Sequence, residues 1–87
     1  MRKGNIIKFW NRIDKDGPMI MDTPCWIWTG RKDNLGYGHS RLGGKHTTAH
    51  RIVWILTYGE IRDNLFVLHK CDNPSCCNPS HLFLGTQ

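Results

Sequence analysis

The sequence predicts an α+β fold in one small domain, and three observations lead there. Two segments repeat their apolar residues with the 3.6-residue period of a helix. Several short segments rich in aromatic and β-branched residues are bounded by Gly, Asn and Asp, as strands are. Most of the cysteines then fall in a turn-rich stretch near the C-terminus, where a bound metal ion would have to organise the chain.

The elements follow in order. Asn5 to Asp14 reads as a helix, because Ile6, Phe9, Trp10 and Ile13 fall at i, i+3, i+4 and i+7; Asn5 suits the N-cap, and Asp16-Gly17-Pro18 ends the segment. Cys25 to Thr29 reads as a strand with Trp26 and Trp28 on one face, both expected in the core rather than as base-stacking platforms. Gly30 to Gly36 is a turn, Tyr37 to Leu42 a second strand and Gly43-Gly44 a tight turn, giving a small antiparallel sheet. Thr48 to Tyr58 reads as a helix capped by Thr48, buried along Ala49, Ile52, Val53 and Leu56 and stopped by Gly59. Leu65 to His69 is a short apolar strand, Lys70 to Ser80 a loop and Leu82 to Thr86 a last strand.

A chain of 87 residues has room for one domain, with residues 1–20 as helix and linker and 21–87 as sheet, middle helix and loop. Its core is thin, so a metal or disulfides would help it fold. Twelve Lys and Arg against seven Asp and Glu give a net charge of +5 and a pI near 9.3. Such an excess favours a polyanionic partner, since each neutralised phosphate releases a counterion. The longest apolar run, Ile52 to Leu56, is far too short to span a bilayer. No secretory leader is recognisable, so we expect a cytoplasmic protein without a membrane partner. In a reducing compartment, four cysteines point to metal ligation before disulfides.

Cys71, Cys76 and His81 are spaced five apart, and Asn73-Pro74 and Asn78-Pro79 between them reverse the chain so that the three side chains can meet. A structural zinc takes four such ligands in a tetrahedron. Cys25 is the best candidate for the fourth, with Cys77 and His69 as competitors. The loop has no apolar residues to pack, and ordering its backbone costs about 1–2 kcal/mol per residue. Zinc supplies an apparent 10–16 kcal/mol or so in small metal-folded modules, enough to offset this.

At this point the chain resembles the phage HNH endonucleases, including the homing type found beside introns. The shared pattern runs from Phe9-Trp10 and Cys25-Trp26-Ile27-Trp28-Thr29-Gly30 through Gly36-Tyr37-Gly38, Ala49-His50-Arg51 and Gly59. It continues to His69-x-Cys71-Asp72-Asn73-Pro74-x-Cys76-x-Asn78-Pro79-x-His81-Leu82 and Gly85-Thr86. The resemblance implies a zinc-stabilised ββα-metal site acting on DNA. It makes Cys25, Cys71, Cys76 and His81 the structural zinc ligands and His69 the general base. Asn78 becomes the central Asn, orienting the loop or the base, and a divalent ion, usually Mg²⁺, contacts the scissile phosphate.

The chemistry fits that reading. A neutral imidazole held at a strand end can take a proton from water near neutrality, while a hard dication neutralises the phosphate and the leaving oxygen. Arg51, at the start of the middle helix, is read as a phosphate contact and His50 as packing. Lys70, Arg41 and Lys45 are expected on the DNA, from a wider set with Lys3, Lys8, Arg12, Arg31 and Lys32, part of which is simply solvated. Two departures stand out. Where many members carry an acid or His before the base, this chain has Leu68, with Asp72 as a nearby substitute. Members also continue past Gly-Thr into a helix with an Asn or Asp ligand, whereas this chain stops at Gln87, so the third element is expected to be missing. The rival to a metal-dependent DNA endonuclease is therefore an inactive, truncated zinc module that only binds DNA. Cutting both strands would require a homodimer or two visits.

Overall fold

The computed structural model describes residues 3–20, 22–62 and 65–86, and side chains from Ile6 onward. Asn5, read as the N-cap, instead lies inside the first helix, which already includes Lys3; the DNA-lining reading of Lys3 concerns a side chain outside the described residues.

Helix α1 covers Lys3–Asn11, three residues short of the expected end. Its stripe still holds, because Phe9 and Ile13 are both in the core. Ile13, however, enters it from a strand. Ile13–Asp14 (β1) pairs antiparallel with Ile27–Trp28 (β4), and the Arg12 carbonyl accepts from the Thr29 amide and hydroxyl. The expected Cys25–Thr29 strand shrinks to β4, which does not form the expected sheet with the Tyr37–Leu42 segment. Only β4 pairs with β1, while Thr23–Pro24 (β3) pairs with Met19–Ile20 (β2).

His39–Leu42 (β5) and Lys45–Thr48 (β6) form a hairpin. Gly43 and Gly44 have φ of 60° and 82°, as a two-residue loop of the primed type requires. The sequence reading omits β6 because Lys-His-Thr-Thr carries no apolar alternation. Turn chemistry and register make this strand, not burial. Helix α2 covers Ala49–Tyr58 and buries Ala49, His50, Ile52 and Val53. Thr48 occupies its N-cap but makes no side-chain capping bond; among the first amides of the helix, Ala49 N–H instead donates to the Gly38 carbonyl at 2.8 Å. Phe66–His69 (β7) pairs with Leu82–Gly85 (β8), with His69 opposite Leu82. The loop between them ends in a 3₁₀ turn, Pro79–His81. Among the described residues no helix is long and apolar enough to cross a membrane.

The core joins Phe9, Trp28, Ile52, Val53, Val67, Cys77 and Leu82, so both helices and the last hairpin close on one indole. Trp28 is fully buried, and its side chain packs so closely on Gly30 and Gly38 that an added Cβ at either would run into it. Gly38→Ala is therefore expected to destabilise the domain by about 1–3 kcal/mol through overpacking. It should lower the urea midpoint without changing the m-value.

Candidate metal centre and the His69 groove

The expected zinc loop is stitched to β4 through the backbone. Trp28 N–H donates to Ser75 O at 2.9 Å, Cys77 N–H donates to Trp26 O at 2.6 Å, and Ile27 forms an isolated bridge with Cys76. Gly17 N–H to Cys25 O and Cys25 N–H to Pro18 O fix Cys25 from the other side. These bonds bring Cys25 to a loop nearly fifty residues further on. One ligand atom from each of Cys25, Cys71, Cys76 and His81 lies within 4.8 Å of the others. His81 Nδ1 is 3.6 Å from Cys25 Sγ and 3.4 Å from Cys76 Sγ. Donors around a tetrahedral ion at ordinary Zn–S and Zn–N lengths stand about 3.5 Å apart. The cluster can therefore hold such an ion, and three thiols with one imidazole suit zinc. Burial pushes the Cys25 and Cys76 thiols up, so a nearby cation is what would favour their anions.

The competitors do not enter this cluster. Cys77 is part of the apolar core, and burial pushes its thiol up to about 12. His69 instead donates through Nε2 to the Cys76 carbonyl at 2.9 Å.

The other side of the His81 ring reveals a residue absent from the sequence reading. His81 Nε2 hydrogen-bonds the Thr23 hydroxyl, which itself lies 3.4 Å from the Ile20 carbonyl as a donor. With its proton directed at Ile20, Thr23 accepts from Nε2–H and leaves a lone pair on Nδ1, which faces the thiols. Thr23→Val is expected to weaken metal affinity on the order of tenfold, and Thr23→Ser to preserve it, in competition with a chromophoric chelator. No motif in the sequence points to Thr23, because its role depends on the β2–β3 pairing.

His69 ends β7. A carbonyl can only accept, so the bond to Cys76 O fixes the proton of the neutral ring on Nε2 and leaves Nδ1 as the basic nitrogen. Burial lowers its pKa, and the Cys76 carbonyl and the charge of Asp72 pull the other way. The ring lies 4.5 Å from that of His50, and Tyr37 packs against both at 6.0 and 5.7 Å. His69, His50, Tyr37, Arg51, Thr48, Leu68 and Asp72 line one open groove. His50 donates through Nε2 to Val67 O at 3.0 Å, which ties the start of α2 to β7. Its Nδ1 and the Thr48 hydroxyl are buried polar atoms with no partner among the described residues.

Burial first, then the charge of His69, lowers the His50 pKa from 6.5 to about 4. The sign follows. Between pH 6.5 and 4 the unfolded chain takes up a proton that the folded chain refuses, so stability present above pH 6.5 falls as pH drops toward 4. The full shift corresponds to about 3 kcal/mol. In a two-dimensional NMR titration the His50 ring signals are expected to stay unchanged down to pH 5 and to move near pH 4.

Residues 47–87, which contain β7, the loop, β8 and α2, match the family model of the HNH endonucleases. Residues 47–87 belong to the HNH endonuclease family. Two proteins of Escherichia phage T7 are similar over a longer stretch. Protein 7.7 is 45% identical over 62 residues, covering 71% of this chain and 48% of that protein. Protein 2.8 is 41% identical over 69 residues, covering 77% of this chain and 46% of that protein. The chain thus spans about half the length of these phage relatives. No solved structure matches it.

The structure separates the remaining expected residues of the HNH site. Asn78 is buried, and its side-chain partners do not include His69. Its Nδ2 donates to Pro24 O at 2.8 Å, and its Oδ1 accepts from the Ser80 amide and hydroxyl. These bonds clasp the Cys-rich loop to Pro24 of β3. Arg51 and Asp72 line the His69 groove, and Lys70 follows His69 on the exposed surface. Arg41 stands opposite His46 and Lys45 opposite Leu42, so Arg41 and Lys45 occupy opposite faces of the β5–β6 hairpin. Asp33, which the sequence reading places only at a turn tip, accepts from Leu35 and Tyr37 N–H and from His39 Nε2. The His39 proton holds its carboxyl below the usual range.

Proposed function

We propose that this chain is the nuclease domain of a phage-type DNA endonuclease that hydrolyses phosphodiesters with His69 as general base. One observation carries the reading. His69, within the HNH match, is anchored through Nε2 to the carbonyl of a cluster cysteine, so that Nδ1 is the unprotonated nitrogen of a groove shared with Arg51. Cys25, Cys71, Cys76 and His81 would hold a structural zinc, which fixes the Cys76 carbonyl and so the base. His69 Nδ1 would take the proton of a water aligned against the phosphorus, and Arg51, at the start of α2, would bind a non-bridging phosphate oxygen. A divalent ion such as Mg²⁺ would neutralise charge on the phosphate and leaving oxygen, with Asp72 as a groove carboxylate able to hold it, since Asp33, which also lines the groove, is engaged by His39. Asn78 would act on the loop that carries the zinc ligands rather than on the substrate. Lys70, Arg41 and Lys45 would contact the DNA backbone.

Relaxation of a supercoiled plasmid with Mg²⁺ or Mn²⁺ tests the reading. Nicking is expected with either ion. Salt-sensitive binding without nicking at any concentration of either would leave a zinc-held DNA-binding module instead.

A further inference from the structure

A second groove lies apart from the His69 groove and shares no lining residue with it. It runs between the end of α1 and the β5–β6 hairpin. Its walls carry Lys8, Arg12, Arg31 and Arg41, with His39 and His46 stacked at 4.9 Å between ring centroids. No carboxylate lines it. Among the described residues the single ion pair is His39–Asp33, so none of these four cations is neutralised by an acid. Asp33 is committed to His39 and to two backbone amides. Gly43 and Gly44 at the rim present backbone with open space where side chains would stand.

Four like charges brought together by three separate segments repel one another, and such an arrangement stabilises only a polyanion laid along it. The groove is also open and accessible, unlike a site built for a small anion. We propose that this groove holds the phosphate backbone of duplex DNA at a distance from the scissile bond, as a second anchor independent of the His69 groove. The inference rests on the reading of the chain as a DNA-acting domain and deepens it. The anchor sets where the duplex lies, while His69 and Arg51 act on the bond. Loss of the anchor should therefore weaken binding without slowing the chemistry.

The test measures duplex affinity against salt concentration, and nicking kinetics, for the whole chain. The groove variant carries Arg12→Gln, Arg31→Gln and Arg41→Gln, all at exposed positions. Its comparison carries Lys15→Gln and Arg62→Gln, exposed cations in neither groove. Removing three phosphate contacts should reduce the slope of log K against log salt by about 3. KM should rise at least about tenfold with kcat unchanged, while the comparison variant keeps the slope of the unaltered protein. An unchanged slope in the groove variant, or an equal loss per charge in the comparison variant, overturns the proposal, because net charge alone would then account for binding. Tighter retention on heparin than on duplex DNA, lost in the groove variant, also overturns it in favour of a different polyanion. If the unaltered protein binds no DNA, the nuclease reading falls together with this one.

Discussion

Removing the metal at neutral pH is expected to unfold most of this domain. The ligand cluster ties together two parts of the chain that are far apart in sequence. Cys71, Cys76 and His81 sit on the loop that joins β7 to β8, and Cys25 sits between β3 and β4. Residues 70–75 contribute no side chain to the core. With backbone ordering at about 1–2 kcal/mol per residue, that stretch would not stay fixed by hydrogen bonds alone. Its loss would propagate, because Trp28 N–H bonds Ser75 and Cys77 N–H bonds Trp26, so the backbone of the central tryptophan strand is shared with the loop. The ion supplies on the order of 10 kcal/mol in comparable modules, as much as a typical domain's entire net stability of about 5–15 kcal/mol. A strong chelator should therefore abolish the near-ultraviolet signal of Trp28 and the cooperative melt, and Cys76→Ser should do the same in excess zinc. Cys77→Ala gives the contrast, since Cys77 belongs to the apolar core. It should cost about 1–2 kcal/mol through lost packing and leave the metal stoichiometry at one. A protein that melts identically with and without chelator would refute a structural metal here.

The parts of this architecture that sequence alone makes legible are those fixed by local chemistry. The apolar stripe of α2, the Gly43-Gly44 reversal and the spacing of Cys71, Cys76 and His81 each declare themselves within a dozen residues. The α1 boundary does not, because Ile13 satisfies a helical stripe and a strand equally well. Only its partner β4 decides between them. β6 is similarly silent, being a polar strand that exists because a hairpin turn precedes it. At the candidate site, His69 and Arg51 stand in recognisable patterns. Thr23 and Asp33 act through bonds to residues 58 and 6 positions away, which no periodicity reports. His50 is the instructive intermediate. Packing accounts for its burial and its bond to Val67, yet the same burial lines the groove with a neutral imidazole whose Nδ1 has no partner among the described residues.

His69→Ala is expected to lower kcat for DNA nicking by about 10²–10⁴-fold, the range for loss of a positioned general base, with DNA affinity unchanged. The argument turns on what each nitrogen of the ring does. Nε2 is used structurally, as a donor to Cys76 O, so a substitution that removed only this bond would disturb the zinc loop rather than the chemistry. Nδ1 has no structural use among the described hydrogen bonds, and its loss should appear in the reaction alone. His69→Gln separates the two roles. Its amide can still donate to the Cys76 carbonyl, while no nitrogen of a carboxamide accepts a proton near neutrality. The two variants should therefore be equally inactive, and the Gln variant should melt closer to the unaltered protein than the Ala variant does. If the Gln variant retained more than about a tenth of the rate, the function of His69 would be to hold the loop. The base would then have to be sought elsewhere in the groove, with His50 as the first residue to replace.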